Sequence, residues 1–467
     1  MRICLIAEGC YPYVAGGVSS WIQMLIEGMP EHEFVIFAIG AEEKLKGQYK
    51  YEMPKNVVEV REVFLDQTSP SKWLDSHRLK ITKDVKEALR NILIGSNVDW
   101  ESIFNLYNEN SFGVEAFLKS REFMEIIDEV SQDTYDETPF SDTFWTIRSM
   151  LIPILELLKN KAPEADIYHT VSTGYAGIMG AKFKLETSKK LIVTEHGIYS
   201  REREEEILKC DWVHNSLKGI WINFFKQLAD ASYEFADKIV SLFDSARHIQ
   251  IELGASTDKC MVIPNGVDTD RFSVVKPLDV NKKEFVIGAI LRVVPIKDVK
   301  TLIYSYAIFK QKFKNSKLLI IGPYDEDEEY YEECLNIVKE IKSSDIEFMG
   351  RQNIDKLMND LDVVILTSIS EGQPFVVLEA MAANRPVIAT DVGSCREVVE
   401  GNDEFNHCGL ITPVMNPDMI ARAMYKLASD RTLMIDMAQE GLKRARKYYK
   451  RTDFLKRYDE LYREVAK

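Results

Sequence analysis

Arg292 and Lys297 stand five positions apart just behind the apolar run Phe285–Ile290, and Glu371 and Glu379 lie eight apart around the turn Gly372-Gln373-Pro374. A guanidinium can grip a phosphate through two parallel hydrogen bonds, and an ammonium adds a point charge. Together they suit the neutralisation of a departing pyrophosphate. Carboxylates accept from paired hydroxyls, as on a ribose or a hexose. Phe375 and Val376 open a helical pattern, so their unpaired first-turn N–H groups can meet a phosphate. Nearer the amino end, Gly16-Gly17 separates an apolar run from a helical one, which lets an anion approach bare backbone N–H groups. His196, in Thr194-Glu195-His196-Gly197, follows another apolar run; a neutral imidazole there can exchange hydrogen bonds with a sugar hydroxyl. Taken singly, each feature has an ordinary explanation as a solvated cation, a tight turn, a loop histidine or a chance pair among 74 acidic residues.

The elements that must carry these groups read as two α/β halves. Residues 2–7 (RICLIA) and 33–39 (EFVIFAI) are buried strands flanking a glycine turn and a helix with apolar Trp21, Ile22, Leu25 and Ile26. Strand patterns resume at Ile167–Thr170, Lys190–Thr194, Lys238–Ser241 and 259–264. Between about 70 and 160 the chain is helical in pattern and rich in charge, an insertion on the first half. The stretch 269–283 has Pro277 and little periodicity and reads as a linker. Strand and helix then alternate again from Phe285 to Thr390, and 416–467 reads as helix throughout. Tandem doubly wound Rossmann-like domains follow, with ligands expected beyond the carboxyl ends of the strands.

Composition narrows the function. The net charge of −15 argues against a nucleic-acid partner. G-x-G-x-x-G occurs nowhere, which disfavours a nicotinamide dehydrogenase. Seven scattered cysteines without a C-x-x-C pair give neither a disulfide framework nor a zinc site. The apolar run Ile3–Ala7 is too short for a signal peptide and no run spans a membrane, so a cytoplasmic location is expected. Asp325–Glu329 and Glu202–Glu206 read as exposed acidic helix starts, and the basic excess at 443–457 as a solvated helix face.

The order of the motifs is more specific than any one of them. Gly16-Gly17, T-E-H-G, P-N-G-V-D at 264–268, R-x-x-x-x-K, E-G-x-P-x-x-x-x-E-A-M-A and P-V-I-A-T-D-V-G follow one another as in the retaining glycosyltransferases typified by glycogen and sucrose synthases (family GT4), which the chain resembles over nearly all of residues 1–465 except the 70–160 insertion. Ala7–Trp21 and Thr194–Arg203 look like the PelF branch, cytosolic enzymes of Pel exopolysaccharide synthesis in biofilms.

The resemblance implies a GT-B fold with an inter-domain cleft. It assigns 1–272 to an acceptor domain, 283–447 to a nucleotide-sugar donor domain and 448–467 to a helix returning to the first. It implies transfer of a hexosyl unit from a UDP-sugar to a glycan acceptor, with same-face attack assisted by the leaving phosphate. No metal and no cofactor beyond the donor are implied, and association with inner-membrane Pel components is. By position, Gly16 and Gly17 would meet donor phosphate and acceptor, His196 the donor sugar, Arg292 and Lys297 the diphosphate. Glu371 and Gly372 would meet the sugar, Phe375 and Val376 the phosphates, and Glu379 the ribose. Three family glycines are replaced, by Leu291, Asp298 and Arg385, which bears on loop geometry. An epimerase or hydrolase on the same fold, and a nucleotide-sugar-binding subunit without turnover, stay open beside the transferase.

Overall fold

The computed structural model describes residues 1–66, 81–107, 113–134, 138–279 and 281–467. The chain forms two compact units. The first comprises Met1–Ser241, Ala246–Val262 and Asp459–Lys467, the second Leu242–Ser245 and Ile263–Tyr458.

The first unit contains β1 (Arg2–Glu8), β2 (Glu33–Gly40), β3 (Val57–Phe64), β4 (Ile167–Thr170), β5 (Lys190–Glu195), β6 (Lys238–Ser241) and β7 (Cys260–Val262). They make one parallel sheet in the order β3-β2-β1-β4-β5-β6-β7. Unbroken apolar runs suit strands covered on both faces, and Ile3 to Ile6 and Phe34 to Ile39 are accordingly buried. The order reverses between β1 and β4, which fixes the switch point where their carboxyl ends leave a crevice.

The insertion between β3 and β4 forms helices Lys83–Ile94, Trp100–Phe104, Val114–Leu118, Arg121–Thr134 and Phe140–Leu157. Its expected beginning, 70–80, lies outside the described residues. Thr82 starts the first of these helices by accepting a hydrogen bond from the Val85 N–H, and left-handed Gly95 ends it. Leu89, Ile92, Phe123, Ile126 and Leu151 join the core that also holds Phe37 and Val193. The insertion is therefore packed into the first unit by its apolar stripes.

The second unit contains β8 (Phe285–Ile290), β9 (Ser316–Ile321), β10 (Ile346–Gly350), β11 (Val363–Leu366), β12 (Val387–Thr390) and β13 (Gly409–Thr412). The parallel order is β10-β9-β8-β11-β12-β13, with the reversal between β8 and β11. Gly288 within β8 is demanded by packing, since a Cβ there would lie 2.3 Å from the Leu361 side chain. The acidic run 325–329 does begin a helix, Glu328–Glu340, capped by the Asp327 side chain.

Several features depart from the pattern reading. Strands β3 and β13 were not expected; β3 is an edge strand with exposed Val58 and Glu59, so its burial signal is weak. The segment 416–467, by contrast, is helical as expected, in the three helices Pro417–Ser429, Arg431–Tyr448 and Arg451–Val465. The stretch 269–279 is not slack: Arg271–Val274 forms a 3-10 turn, and Phe272 and Val275 are buried in the second unit's core. The chain thus passes from the first unit to the second near Val262, ahead of the stretch read as a linker. Among the described residues no helix is long and apolar enough to cross a membrane.

Candidate active site

In the second unit, the loops after β8 and β11 flank the switch point, and they carry Arg292, Lys297 and Glu371. The first loop is pegged by Leu291 N–H donating to the Ile321 carbonyl (2.8 Å) and Val293 N–H to that of Pro323 (2.9 Å). Buried Leu291 replaces the family glycine without strain, and the small residue the contact needs is Gly322, whose Cβ would fall 1.9 Å from the Leu291 oxygen. Asp298, at another such replacement, adopts the left-handed conformation (φ 48°) and caps the helix Val299–Lys312 through the Thr301 N–H. Aspartate tolerates that backbone because its short side chain bonds locally.

The two loops are stitched together. Ile369 N–H donates to the Ile296 carbonyl (2.9 Å), and the Thr367 hydroxyl to that of Lys297 (3.0 Å). Lys297 Nζ then sits 2.5 Å from Glu371 Oε1, which also accepts from the Ser368 hydroxyl at 2.5 Å. Both side chains are mostly buried, 17% and 12% exposed. Arg292 is on the same loop, but its guanidinium is held by Glu326 at 2.7 Å. Of the expected cations, the structure brings Lys297 to Glu371 and gives Arg292 a different partner.

Behind Glu371 the chain turns through Gly372–Pro374 into the helix Phe375–Ala382. Pro374 supplies no side-chain cap, so the amides of Phe375 and Val376 remain open while Val377 N–H reaches the Pro374 carbonyl (3.2 Å). The turn is held from two sides. Asn265, from P-N-G-V-D, donates its N–H to Gln373 Oε1 (2.6 Å) and its amide to the Gln373 carbonyl (3.0 Å). Gly393, with φ 51°, lets its turn lie against the carbonyls of Glu371 and Gly372, each 2.2 Å from where a Cβ would stand. One turn along the helix, Glu379 is pushed up to about 6 by burial, opposed by Arg271. Arg271 lies 3.6 Å from Glu379 and 2.6 Å from Asp355.

In the first unit, Gly16 is extended (φ −176°) and begins the helix Gly17–Glu27 without a side-chain cap. A Cβ on either Gly16 or Gly17 would meet nothing within 4 Å, so packing within the unit does not require these glycines. The Gly16 N–H donates to the Tyr51 hydroxyl at 3.4 Å. His196 packs edge-on against Trp21 at 4.9 Å, and its buried Nε2 has no hydrogen-bond partner among the described residues. Burial depresses its pKa to about 3, so the ring is neutral at ordinary pH. The turn bearing it is fixed by buried Glu195. That carboxylate accepts from Tyr199 N–H (3.0 Å), Tyr233 (2.7 Å), Gln250 (3.0 Å) and Thr173 (3.2 Å).

Glu8, at the end of β1, accepts from the Ala176 N–H (3.1 Å) and the Tyr199 hydroxyl (3.3 Å). Burial raises the pKa of both Glu8 and Glu195. Sequence reasoning overlooked these two glutamates, Ser368, Arg271 and the Asn265–Gln373 clasp. For the glutamates the available signal was a carboxylate ending an apolar strand. The one group of metal-ligating side chains among the described residues, Glu31, His32 and Asp459, lies at the amino end of β2, the opposite end of that sheet from Gly16 and His196; His32 is engaged with Asp459 at 2.8 Å.

Comparison with known proteins bears on the family and the fold. Residues 1–258 match the family described as domain of unknown function DUF3492, and residues 270–446 match glycosyl transferases group 1. An uncharacterized glycosyltransferase of Methanocaldococcus jannaschii is 29% identical over 307 residues, 64% of this chain and 76% of that protein. The N,N'-diacetylbacillosaminyl-diphospho-undecaprenol alpha-1,3-N-acetylgalactosaminyltransferase of Campylobacter jejuni is 24% identical over 270 residues, 55% of this chain and 68% of that one. Among solved structures, Anabaena HepE in complex with UDP superposes with a TM-score of 0.62 at 15% identity, covering 99% of this chain and 100% of that one. Sucrose-phosphate synthase from Thermosynechococcus elongatus gives 0.63 at 15% identity, covering 99% and 98%. The chain belongs to the DUF3492 family and, with its group 1 domain and two parallel-sheet Rossmann-like units, is a glycosyltransferase of the GT-B type.

Proposed function

We propose that this glycosyltransferase moves a hexosyl unit from a UDP-sugar to a glycan acceptor with retention of configuration and without a metal ion, in exopolysaccharide synthesis of the PelF kind. The observation that carries the reading is the Lys297–Glu371 contact of 2.5 Å at the second sheet's switch point, followed by a helix start with open amides. A diphosphate at that helix start exchanges hydrogen bonds with the Phe375 and Val376 N–H groups, and Lys297 and Arg292 balance its charge as the glycosidic bond breaks. Both cations are held by carboxylates, Glu371 and Glu326, that a more highly charged diphosphate displaces. Glu371, released from Lys297, and the Gly372 backbone then take sugar hydroxyls. In the first unit, neutral His196 offers its unpaired Nε2 to the sugar, and Gly16 and Gly17 offer backbone to donor phosphate and acceptor. The acceptor attacks from the face the phosphate leaves, and the leaving phosphate oxygen takes its proton. A complex of UDP with the similarly folded HepE supports a uridine nucleotide as the carrier of the sugar.

The test is incubation with UDP-glucose, UDP-N-acetylglucosamine or UDP-N-acetylgalactosamine and an oligosaccharide acceptor, with and without EDTA. A mass-shifted oligosaccharide, the small axial–equatorial H1–H2 coupling of a retained α anomer by NMR and insensitivity to EDTA are expected. Donor consumption without an elongated acceptor would assign a hydrolase or epimerase. Donor binding without consumption would assign a sensing subunit. Location at the cytoplasmic face beside inner-membrane Pel components belongs to the same proposal, and fractionation with co-purification from a Pel-producing cell tests it.

A further inference from the structure

We propose that Arg271, which belongs to none of the donor motifs, is a positioning residue that holds Glu379 toward the ribose diol of a nucleoside diphosphate; this rests on the donor reading above. Glu379 follows Phe375 by four positions and Val376 by three, so it shares their helix face. Helical side chains lean toward the amino end, which carries its carboxylate back toward the open first-turn amides. One turn of helix, roughly 5 Å, separates the two. An anion and a vicinal diol at that spacing are the two ends of a ribose phosphate. The Glu379 oxygens take no hydrogen bond from any described residue, which leaves both acceptors for a diol.

Arg271 is fixed for this task. Asp355 grips it at 2.6 Å, its guanidinium lies 5.0 Å over the Phe272 ring, and Glu379 is 3.6 Å away. The charged groups facing Glu379 are Arg271, which favours the carboxylate, and Asp355, which opposes it along with burial. Binding that needs the carboxylate is therefore present above a pH of about 6 and fades as pH falls through it. Loss of Arg271 moves that midpoint upward, toward neutrality.

The experiment is calorimetry of the full chain with UDP and with 2'-deoxy-UDP across about pH 5 to 9. The ratio of the two affinities cancels ionisation of the phosphate itself. The wild type is expected to prefer UDP about tenfold at the alkaline end, with the ratio decaying below a pH of about 6. In Arg271→Met the ratio collapses near neutral pH and recovers only toward the alkaline end, whereas Arg271→Lys keeps most of it. The Arg271 side chain is 43% exposed, so the variants should fold, and circular dichroism verifies this. If Arg271→Met keeps the wild-type ratio and midpoint, the role assigned to Arg271 is wrong. If the wild type binds neither nucleotide, the donor reading fails and takes this inference with it.

Discussion

At the residue scale, the site gathers its charges in opposed pairs: Lys297 with Glu371, Arg292 with Glu326, Arg271 with Glu379. On the proposed reading, each pairing keeps its cation in place until the diphosphate displaces the carboxylate. Lys297→Ala and Glu371→Ala should each lower kcat by about 10²–10³-fold, with far-UV circular dichroism unchanged. The double variant should lose little more than either single one, because productive placement of one donor needs its diphosphate and its sugar held together. Steady-state rates on the true donor and acceptor check both statements, and additive losses would mean independent roles. Lys297 and Glu371 were legible in the sequence because each follows an apolar strand run, where open parallel sheets bind ligands. Arg292 was legible as a cation on that loop but not as the partner of Glu326, 34 positions away. Arg271 and the Asn265–Gln373 clasp, 108 positions apart, depend on long-range packing that no local spacing encodes.

At the element scale, the replaced family glycines find physical explanations. Asp298 is left-handed and caps a helix, so Asp298→Ala loses the cap and adds backbone strain, about 2 kcal/mol in all. Asp298→Gly loses the cap alone and should cost less; urea denaturation of the two variants checks the ranking. Arg385, only 1% exposed, does something a glycine cannot. Its guanidinium donates to the carbonyls of Met358, Leu361, Ala383, Asn384 and Lys276, joining three segments around the helix Phe375–Ala382. Burial lowers its pKa to about 10, still high enough to keep the charge. Arg385→Met strands those carbonyls and should destabilise the second unit by at least ~3 kcal/mol, measured by the same denaturation. Strand runs with continuous burial were readable, whereas β3 was not, because an edge strand with one wet face mixes polar residues into its pattern.

At the scale of the whole molecule, the first unit is completed from both ends of the sequence. Asp459–Lys467 belongs to it, with Tyr462 fully buried and its hydroxyl 2.7 Å from His169 Nδ1. His169 in turn lies 5.9 Å from Trp21. Deleting residues 459–467 should therefore loosen the first unit and leave the second intact. Hydrogen exchange localised to β1 and β4 and a changed Trp21 emission report the one, and retained UDP binding the other. The two-sheet architecture was visible in the alternation of strand and helix, but the tail's partners were not, since 293 positions separate Tyr462 from His169. This closure also has a consequence in time. A ribosome adding about 10 residues per second needs roughly 20 s to make the stretch between Val262 and Asp459. Throughout that interval the nascent first unit waits with His169 lacking its Tyr462 partner, open to chaperones until Asp459–Lys467 has emerged.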